Sequence, residues 1–305
     1  MGSHTVLNIS DTQDGATNMT LREEIKSAEV ILCSIVKNEQ PYIDEWLQYH
    51  KYLGFDRAQL YDNADNASTY LASLPEVYGN FVRVEHLPGL GQQKDAYLRC
   101  MHEHENSNTW GAFMDIDEFI VLRKHTNIKA LLHDLAPDGG SVVLGWSIFG
   151  SSGAVTREPG PVVSRFVMTS EKPDKHIKTI AYLPHARDPI IHNVLMKTGH
   201  PTVDQHGRAV SCESPWVDDN DRAVAHINHY YTKSWQEFQA KRRRGWASSY
   251  KNNHLVSGDG QEVFDRIAHD FKHHNRLTNA VQDTFARDFY LCHFLGEAYT
   301  ALRKC

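Results

Sequence analysis

The sequence predicts an α/β fold: a mostly parallel, doubly wound sheet flanked by helices, followed by a helical C-terminal part. Three observations carry this. Residues 30–36 are an almost unbroken apolar run, strand-like and helix-like segments alternate up to about residue 115, and helical periodicity takes over from Ser234. Alternation of this kind implies a parallel sheet, because parallel strands need a long crossover and a helix is the usual one. The expected division is a loose polar leader over residues 1–28, a main domain over 29–232 and a helical extension packed on it over 233–305.

Residues 30–36, bounded by Lys37-Asn38-Glu39, read as a first strand covered on both faces. Pro41 opens a helix whose Ile43, Trp46, Leu47, His50 and Leu53 share one face, and Gly54 ends it. Residues 58–61 make a short strand ending in Asp62-Asn63, a helix follows around residues 68–74, and residues 81–87 alternate as a third strand. Gly89 and Gly91 break the chain before a helix over residues 92–104 with Ala96, Tyr97, Cys100 and Met101 inward. Residues 110–114 then form a strand that stops at Asp115. Residues 141–146 are another strand, residues 150–160 are loop-like, and strand character recurs to about residue 200. Three helical stretches close the chain, marked by Trp235, Phe238 and Trp246, by Val263, Phe264, Ile267 and Phe271, and by Val281, Phe285, Phe289 and Cys292.

A chain of 305 residues can bury a sizeable core without disulfides. Its five cysteines (Cys33, Cys100, Cys212, Cys292, Cys305) show no C-x-x-C pairing, which suits reduced core thiols rather than zinc ligands. Acidic residues outnumber basic ones 38 to 32, for a formal charge of -6, so nothing in the balance favours nucleic acid or an anionic membrane as partner. No stretch approaches the roughly 20 apolar residues of a membrane span, and the N-terminus lacks the order of a signal peptide. A cytoplasmic protein is the expectation.

Asp115-Ile116-Asp117-Glu118 follows an apolar strand directly, so its carboxylates emerge at the C-terminal edge of the sheet, where open α/β folds bind ligands. Alternation lets Asp115 and Asp117 project together while Ile116 packs inward. Two carboxylates on one side can hold a hard divalent cation that completes its shell with phosphate oxygens. An acidic turn that is merely solvated is the bland alternative.

Many residues around this motif resemble glycosyltransferase family 92 and its family-2-like relatives. They begin with Lys37-Asn38-Glu39, Tyr42, Glu45-Trp46, Tyr49-His50, Gly54 and Tyr61-Asp62-Asn63, then Trp110 with Asp115 to Phe119. Trp146, Phe149-Gly150-Ser151-Ser152-Gly153, His229-Tyr230, Lys233-Ser234, Glu237-Phe238, Lys241 and Arg244-Gly245 continue the match to about residue 247. The resemblance implies a GT-A fold with its catalytic domain over residues 29–232 and a nucleotide-sugar donor, UDP being the first nucleotide to consider. It also implies transfer of a hexosyl or deoxyhexosyl group to a glycan or glycoconjugate acceptor, with inversion at the anomeric carbon.

Carried over by position, the resemblance gives Lys37, Asn38, Glu39 and Asp62 to the nucleoside, although Asp62-Asn63 reads equally well as a plain turn. Gln93 and Lys94, opening a helix, would meet a phosphate or the transferred sugar. His229 would join Asp115 and Asp117 on the metal, with His226 as its competitor, and imidazole tilts the choice of Mn²⁺ or Mg²⁺ toward Mn²⁺. Asp115 would also touch the donor. Lys233, Lys241 and Arg244 are diphosphate candidates, whereas Arg242 and Arg243 suit a solvated helix face. Trp146, Ser151 and Ser152 read as acceptor-side elements, since a flat aromatic can stack on a sugar and small residues allow close approach. Asp188 and Glu213 are the first candidates for general base, with Glu158, Asp204, Asp218 and Asp219 as open alternatives. A nucleotidyltransferase also gathers carboxylates at a strand end, and a carbohydrate-binding module can keep such a fold without turnover; no G-x-x-x-x-G-K-[ST] loop supports a nucleotide kinase.

Overall fold

The computed structural model describes residues 19–245 and 260–295. Helix α1 (Leu21–Lys26) leads into β1 (Glu29–Val36), in which every residue after Glu29 is buried. Even-numbered Val30, Leu32 and Val36 join the core on one face, and odd-numbered Ile31, Cys33 and Ile35 join the core on the other, as the period of two requires. Next come α2 (Gln40–Tyr52), β2 (Arg57–Asp62), α3 (Thr69–Tyr78), β3 (Val82–His86), α4 (Gln93–His104) and β4 (Thr109–Phe113). β2 and β4 flank β1 in parallel, and β3 extends the row beyond β2. The chain reverses its direction of winding between β1 and β4, so a crevice opens at their carboxyl ends.

The central stretch supplies β5 (Glu118–Leu122), α5 (Ile128–Leu135), β6 (Ser141–Ile148), α6 (Val162–Arg165), β7 (Met168–Thr169) and β8 (Ile177–Tyr182). It continues through β9 (Ala186–Pro189), β10 (Val194–Met196), β11 (Thr202–Val203), β12 (Ala209–Val210) and β13 (Ala225–His229). β8 wedges antiparallel between β4 and β6, and the main row reads β12-β11-β6-β8-β4-β1-β2-β3. β13 pairs in parallel with β6 and antiparallel with β5. The C-terminal part holds α7 (Trp235–Arg244), α8 (Gly260–Leu277), β14 (Val281–Gln282) and α9 (Phe285–Leu295). The mostly parallel sheet with flanking helices and the helical C-terminal part agree with the sequence reading.

Helix α2 fixes the strand that follows the acidic turn. Ile43, Trp46, Leu47 and His50 lie on its buried face; the Trp46 indole donates to the Glu118 carbonyl and the Tyr49 hydroxyl to that of Ile120, both at 2.8 Å. Buried side-chain donors of this kind must find partners, and here their partners hold β5 in place.

Several expectations change. Residues 21–26 of the expected leader form α1, started by a Thr20–Glu23 capping box and anchored by buried Ile25; residues 1–18 lie outside the described residues, as do Trp246 and Cys305. β5 and α5 occupy a stretch that the sequence reading left without elements. Residues 281–282 pair with β7 as a strand rather than opening the last helix, which begins at Phe285, whose N-H is capped by Asp283 at 3.0 Å. Cys33 on β1 and Cys100 on α4 are joined in a disulfide, with Cα atoms 6.2 Å apart, and Cys292 is disulfide-bonded as well. The reading of these cysteines as reduced thiols is thereby overturned, and they give no support to a reducing compartment. Among the described residues no helix is long and apolar enough to cross a membrane.

Candidate active site

Beyond β4 the chain makes a tight turn, closed by a Glu118 N-H to Asp115 carbonyl bond of 3.1 Å and held to β1 through Met114 and Cys33. The turn presents Asp115 and Asp117 to a cleft of about 310 Å³ at the carboxyl ends of β1 and β4. β13 runs antiparallel to β5 with His229 opposite Glu118, and the Tyr230 N-H bonds to the Asp117 carbonyl at 2.8 Å. That register sets His229 Nε2 3.6 Å from Asp117 Oδ1. His226, three positions earlier, is fully buried and bonded to Asn228 Oδ1 at 3.1 Å instead.

Just after β13, Lys233 holds a left-handed backbone (φ 51°), and the Ser234–Glu237 capping box starts α7. Lys241 and Arg244, one turn apart, share the cleft side of this helix. Lys241 Nζ reaches Asp117 Oδ2 at 2.5 Å, and Lys233 Nζ stands 3.7 Å from the same oxygen. Arg244 pairs with Glu39 and donates to the Lys37 carbonyl at 2.7 Å, while Arg242 turns away to Asp270 on α8.

Electrostatics follow from this crowding. Burial opposes charge on Asp117, but Lys241, Lys233 and His229 together hold its carboxyl well below the usual range. Burial keeps His229 neutral against the pull of Asp117, and it lowers Lys233 as well; in Lys241 the nearby Asp117 outweighs burial and raises it. Asp115 accepts from Gln93 Nε2 and from Lys178 Nζ, each at 2.9 Å. Lys178 is the second residue of β8, with 1% of its side chain exposed, 3.5 Å from fully buried Glu118. Burial pushes Glu118 well above its ordinary value, whereas Asp115 and Glu118 raise Lys178 against burial.

Of the residues expected on the donor side, Lys37, Glu39, Gln93, Lys241 and Arg244 line the cleft, together with the expected metal ligands Asp115, Asp117 and His229. Trp146 lines it too, but at 8% exposure it is a wall rather than an open platform: its ring stacks on His176 at 5.1 Å and meets His229 edge-on at 4.3 Å. Asn38 and Lys233 border an adjoining cavity.

The remaining expected residues lie elsewhere. Asp62 is buried with its carboxylate taken by the N-H groups of Ala64 (3.1 Å) and Ser68 (2.6 Å), which makes it a turn residue. Lys94 pairs with Asp188 at 3.3 Å, and neither lines the cleft; Glu213 is exposed away from it. Ser151 and Ser152 donate their N-H groups to Asn275 of α8 and to Asn279 just beyond it, each at 2.9 Å, so this loop docks the end of a helix rather than lining the cleft.

Lys178, His192 and Tyr231 belong to the site and were missed. For Lys178 a signal existed: one charged residue in a strand that is otherwise uncharged and mostly apolar demands a buried partner. His192, packed against Trp146 at 5.2 Å, is lowered to about 4 by burial and by Lys178, and nothing in its local sequence marks it.

Residues 29–146 match the model of glycosyltransferase family 92. Curated relatives described as glycosyltransferase family 92 proteins include one from Ricinus communis, 24% identical over 222 residues, covering 71% of this chain and 38% of the relative. Another from Oryza sativa subsp. japonica is 23% identical over 224 residues, covering 71% and 35%. The chain thus spans under two fifths of the length of these relatives. Solved structures similar to it include S. aureus TarS residues 1–349 (TM-score 0.37, 10% identity, 80% of this chain and 70% of that one). GalNAc-T7 with UDP, GalNAc and Mn²⁺ is a second (TM-score 0.37, 11% identity, 90% and 57%).

Proposed function

We propose, from the glycosyltransferase family 92 pattern that the chain carries over residues 29–146, that it transfers a sugar from a nucleoside-diphosphate sugar to an acceptor hydroxyl with inversion. The observation that carries this reading is the meeting of Asp117, His229, Lys233 and Lys241 at the carboxyl end of the parallel strands. Charged groups are costly to bury, and a concentration of them in a cleft suits a charged ligand.

Lys37 and Glu39 flank the nucleoside in this reading, with a UDP-sugar as the first donor to test. Lys241 and Arg244 turn from Asp117 and Glu39 to the incoming diphosphate, one as a point charge and the other as a planar fork. Lys178 and Gln93 fix the rotamer of Asp115 toward the donor. Trp146 closes the cleft wall and excludes water beside the reacting centre.

In this reading Asp117 and His229 would hold a divalent cation. Asp117 offers a carboxylate and His229 a neutral imidazole 3.6 Å away, a mixed oxygen and nitrogen pair that favours Mn²⁺ over Mg²⁺. Among the described residues no three His, Cys, Asp or Glu side chains converge as a metal cage, so Asp115 would be at most an outer contributor and diphosphate oxygens would complete the shell. When bound, such a cation stabilises charge on the departing diphosphate.

The test is a panel of nucleotide sugars incubated with Mn²⁺ or with a chelator. Slow metal-dependent release of a nucleoside diphosphate is expected, with a loss of about 100-fold or more in Asp117→Ala at unchanged circular dichroism. Release of sugar 1-phosphate together with a nucleoside monophosphate would assign nucleotidyl transfer instead, and full activity of the variant would remove Asp117 from the mechanism.

A further inference from the structure

Beside the cleft lies a second cavity of about 520 Å³, and Glu39, Lys241 and Arg244 border both. The first turn of α2, Arg157 and one side of α7 form its walls. Its lining holds five cations, Arg157, Lys233, Lys241, Arg243 and Arg244, against two acids, Glu39 and Glu237. This excess stands in a chain whose formal charge is -6, so overall composition does not produce it.

Pairing leaves part of that charge unanswered. Glu39 is taken by Arg244, and Asp117 by Lys241. Glu237 accepts both N-H groups of the Arg165 fork at 2.9 Å, and also the Ser234 and Tyr42 hydroxyls. Arg157 therefore stands 3.9 Å from an already committed carboxylate, too far for a hydrogen bond, with its guanidinium 5.5 Å from the Tyr42 ring centre. Lys233 is 4% exposed and shares Asp117 at 3.7 Å; its ammonium lies 4.7 Å from the same ring. Arg243 has no hydrogen bond or ion pair among the described residues and sits exposed at the rim. Burying a lysine with so little compensation, on a left-handed non-glycine backbone (φ 51°), is unfavourable, and such positions persist where a ligand uses them.

The donor's diphosphate is met by Lys241 and Arg244 on the cleft side, which leaves Arg157, Lys233 and Arg243 facing a different anion. We propose that the second cavity is an acceptor subsite for a glycan bearing an anionic group, a carboxylate or a phosphate, next to the sugar that receives the transfer. This rests on the sugar-transfer reading for the word acceptor; the anion preference itself does not.

Calorimetric titration separates these points. The probes are a glucuronate-containing tetrasaccharide, the same tetrasaccharide with its carboxylates reduced to alcohols, and glucose 6-phosphate. At low salt the uronate form is expected to bind about tenfold or more tightly than the reduced form, a preference lost in Arg157→Gln/Arg243→Gln while nucleotide-sugar hydrolysis stays near wild type. Binding of glucose 6-phosphate alone, with the same dependence on the two arginines, would assign the phosphate class. Equal binding of the charged and reduced forms with no affinity for glucose 6-phosphate, a preference that survives the double substitution, or displacement of the anionic probe by UDP would each overturn the proposal. A protein that discriminates charge but turns over no nucleotide sugar would keep the anion site and lose the transferase reading.

Discussion

Lys178 and Asp117 show how single residues shape the cleft. Lys178 is enclosed between Asp115 and Glu118 with 1% of its side chain exposed, so one ammonium balances two carboxyl groups. Removing one partner of a buried pair leaves the other uncompensated, which costs about 3–5 kcal/mol. Lys178→Met is expected to lose stability of that order in urea unfolding, and the double variant Lys178→Met/Asp115→Asn to regain part of it. Equal losses in the single and double variants would mean that the lysine acts by packing alone. At Asp117 the balance is reversed, one carboxylate facing two ammonium groups and an imidazole, so its replacement leaves Lys233 and Lys241 without their carboxylate and costs stability as well as ligand binding.

Helix α7 is the element on which the cleft depends, because it carries Lys241 and Arg244 and is itself held by Glu237. Burial pushes the Glu237 carboxyl up, but Arg165 and the Ser234 cap prevail and leave it at about 2, below its ordinary 4.5. The folded value is depressed, so this contribution is fully present above about pH 4.5 and is lost as pH falls toward about 2. Glu237→Gln is expected to cost about 1–3 kcal/mol at pH 7, with the gap to wild type shrinking in urea titrations at pH 3. A gap independent of pH would show that the charge of Glu237 contributes nothing. α2 and β5 are tied together through the Trp46 and Tyr49 bonds, so the helix that follows Lys37-Asn38-Glu39 and the strand after the acidic turn share one support.

Across the whole molecule, the C-terminal helices are integral to the core. Ala286 and Tyr290 of α9 belong to the main apolar cluster, Phe289 packs edge-on against Tyr49 at 5.2 Å, and Asn275 of α8 with Asn279 just after it hold the loop after β6. β14 pairs with β7, and Arg123 pairs with Asp283. Shared burial of this extent makes separate melting unfavourable. Calorimetry should give one transition for the full chain, and a chain ending at residue 233 should show no cooperative melt. Two resolved transitions would make the helices a separate unit.

Local order in the chain was enough to read the first four strands, the helices between them and the acidic turn. Period-two and period-3.6 patterns are set by residues a few positions apart. β5 and α5 are short, five and eight residues, and runs of that length repeat too few times for local periodicity to assign them. The cation partners are a different matter: Lys178 is 63 residues from Asp115, and Lys241 is 124 from Asp117. Asp188, Glu213, Ser151 and Ser152 have the right chemistry for a site, but residue type carries no distance, and the fold gave Asp188 an ion pair with Lys94 and the two serines a helix to dock. The sequence by itself determined the sheet and where its acidic edge would fall. Only the tertiary structure decided which charges surround that edge, because the insertion of β8 and the return of α7 are long-range events that no local pattern encodes.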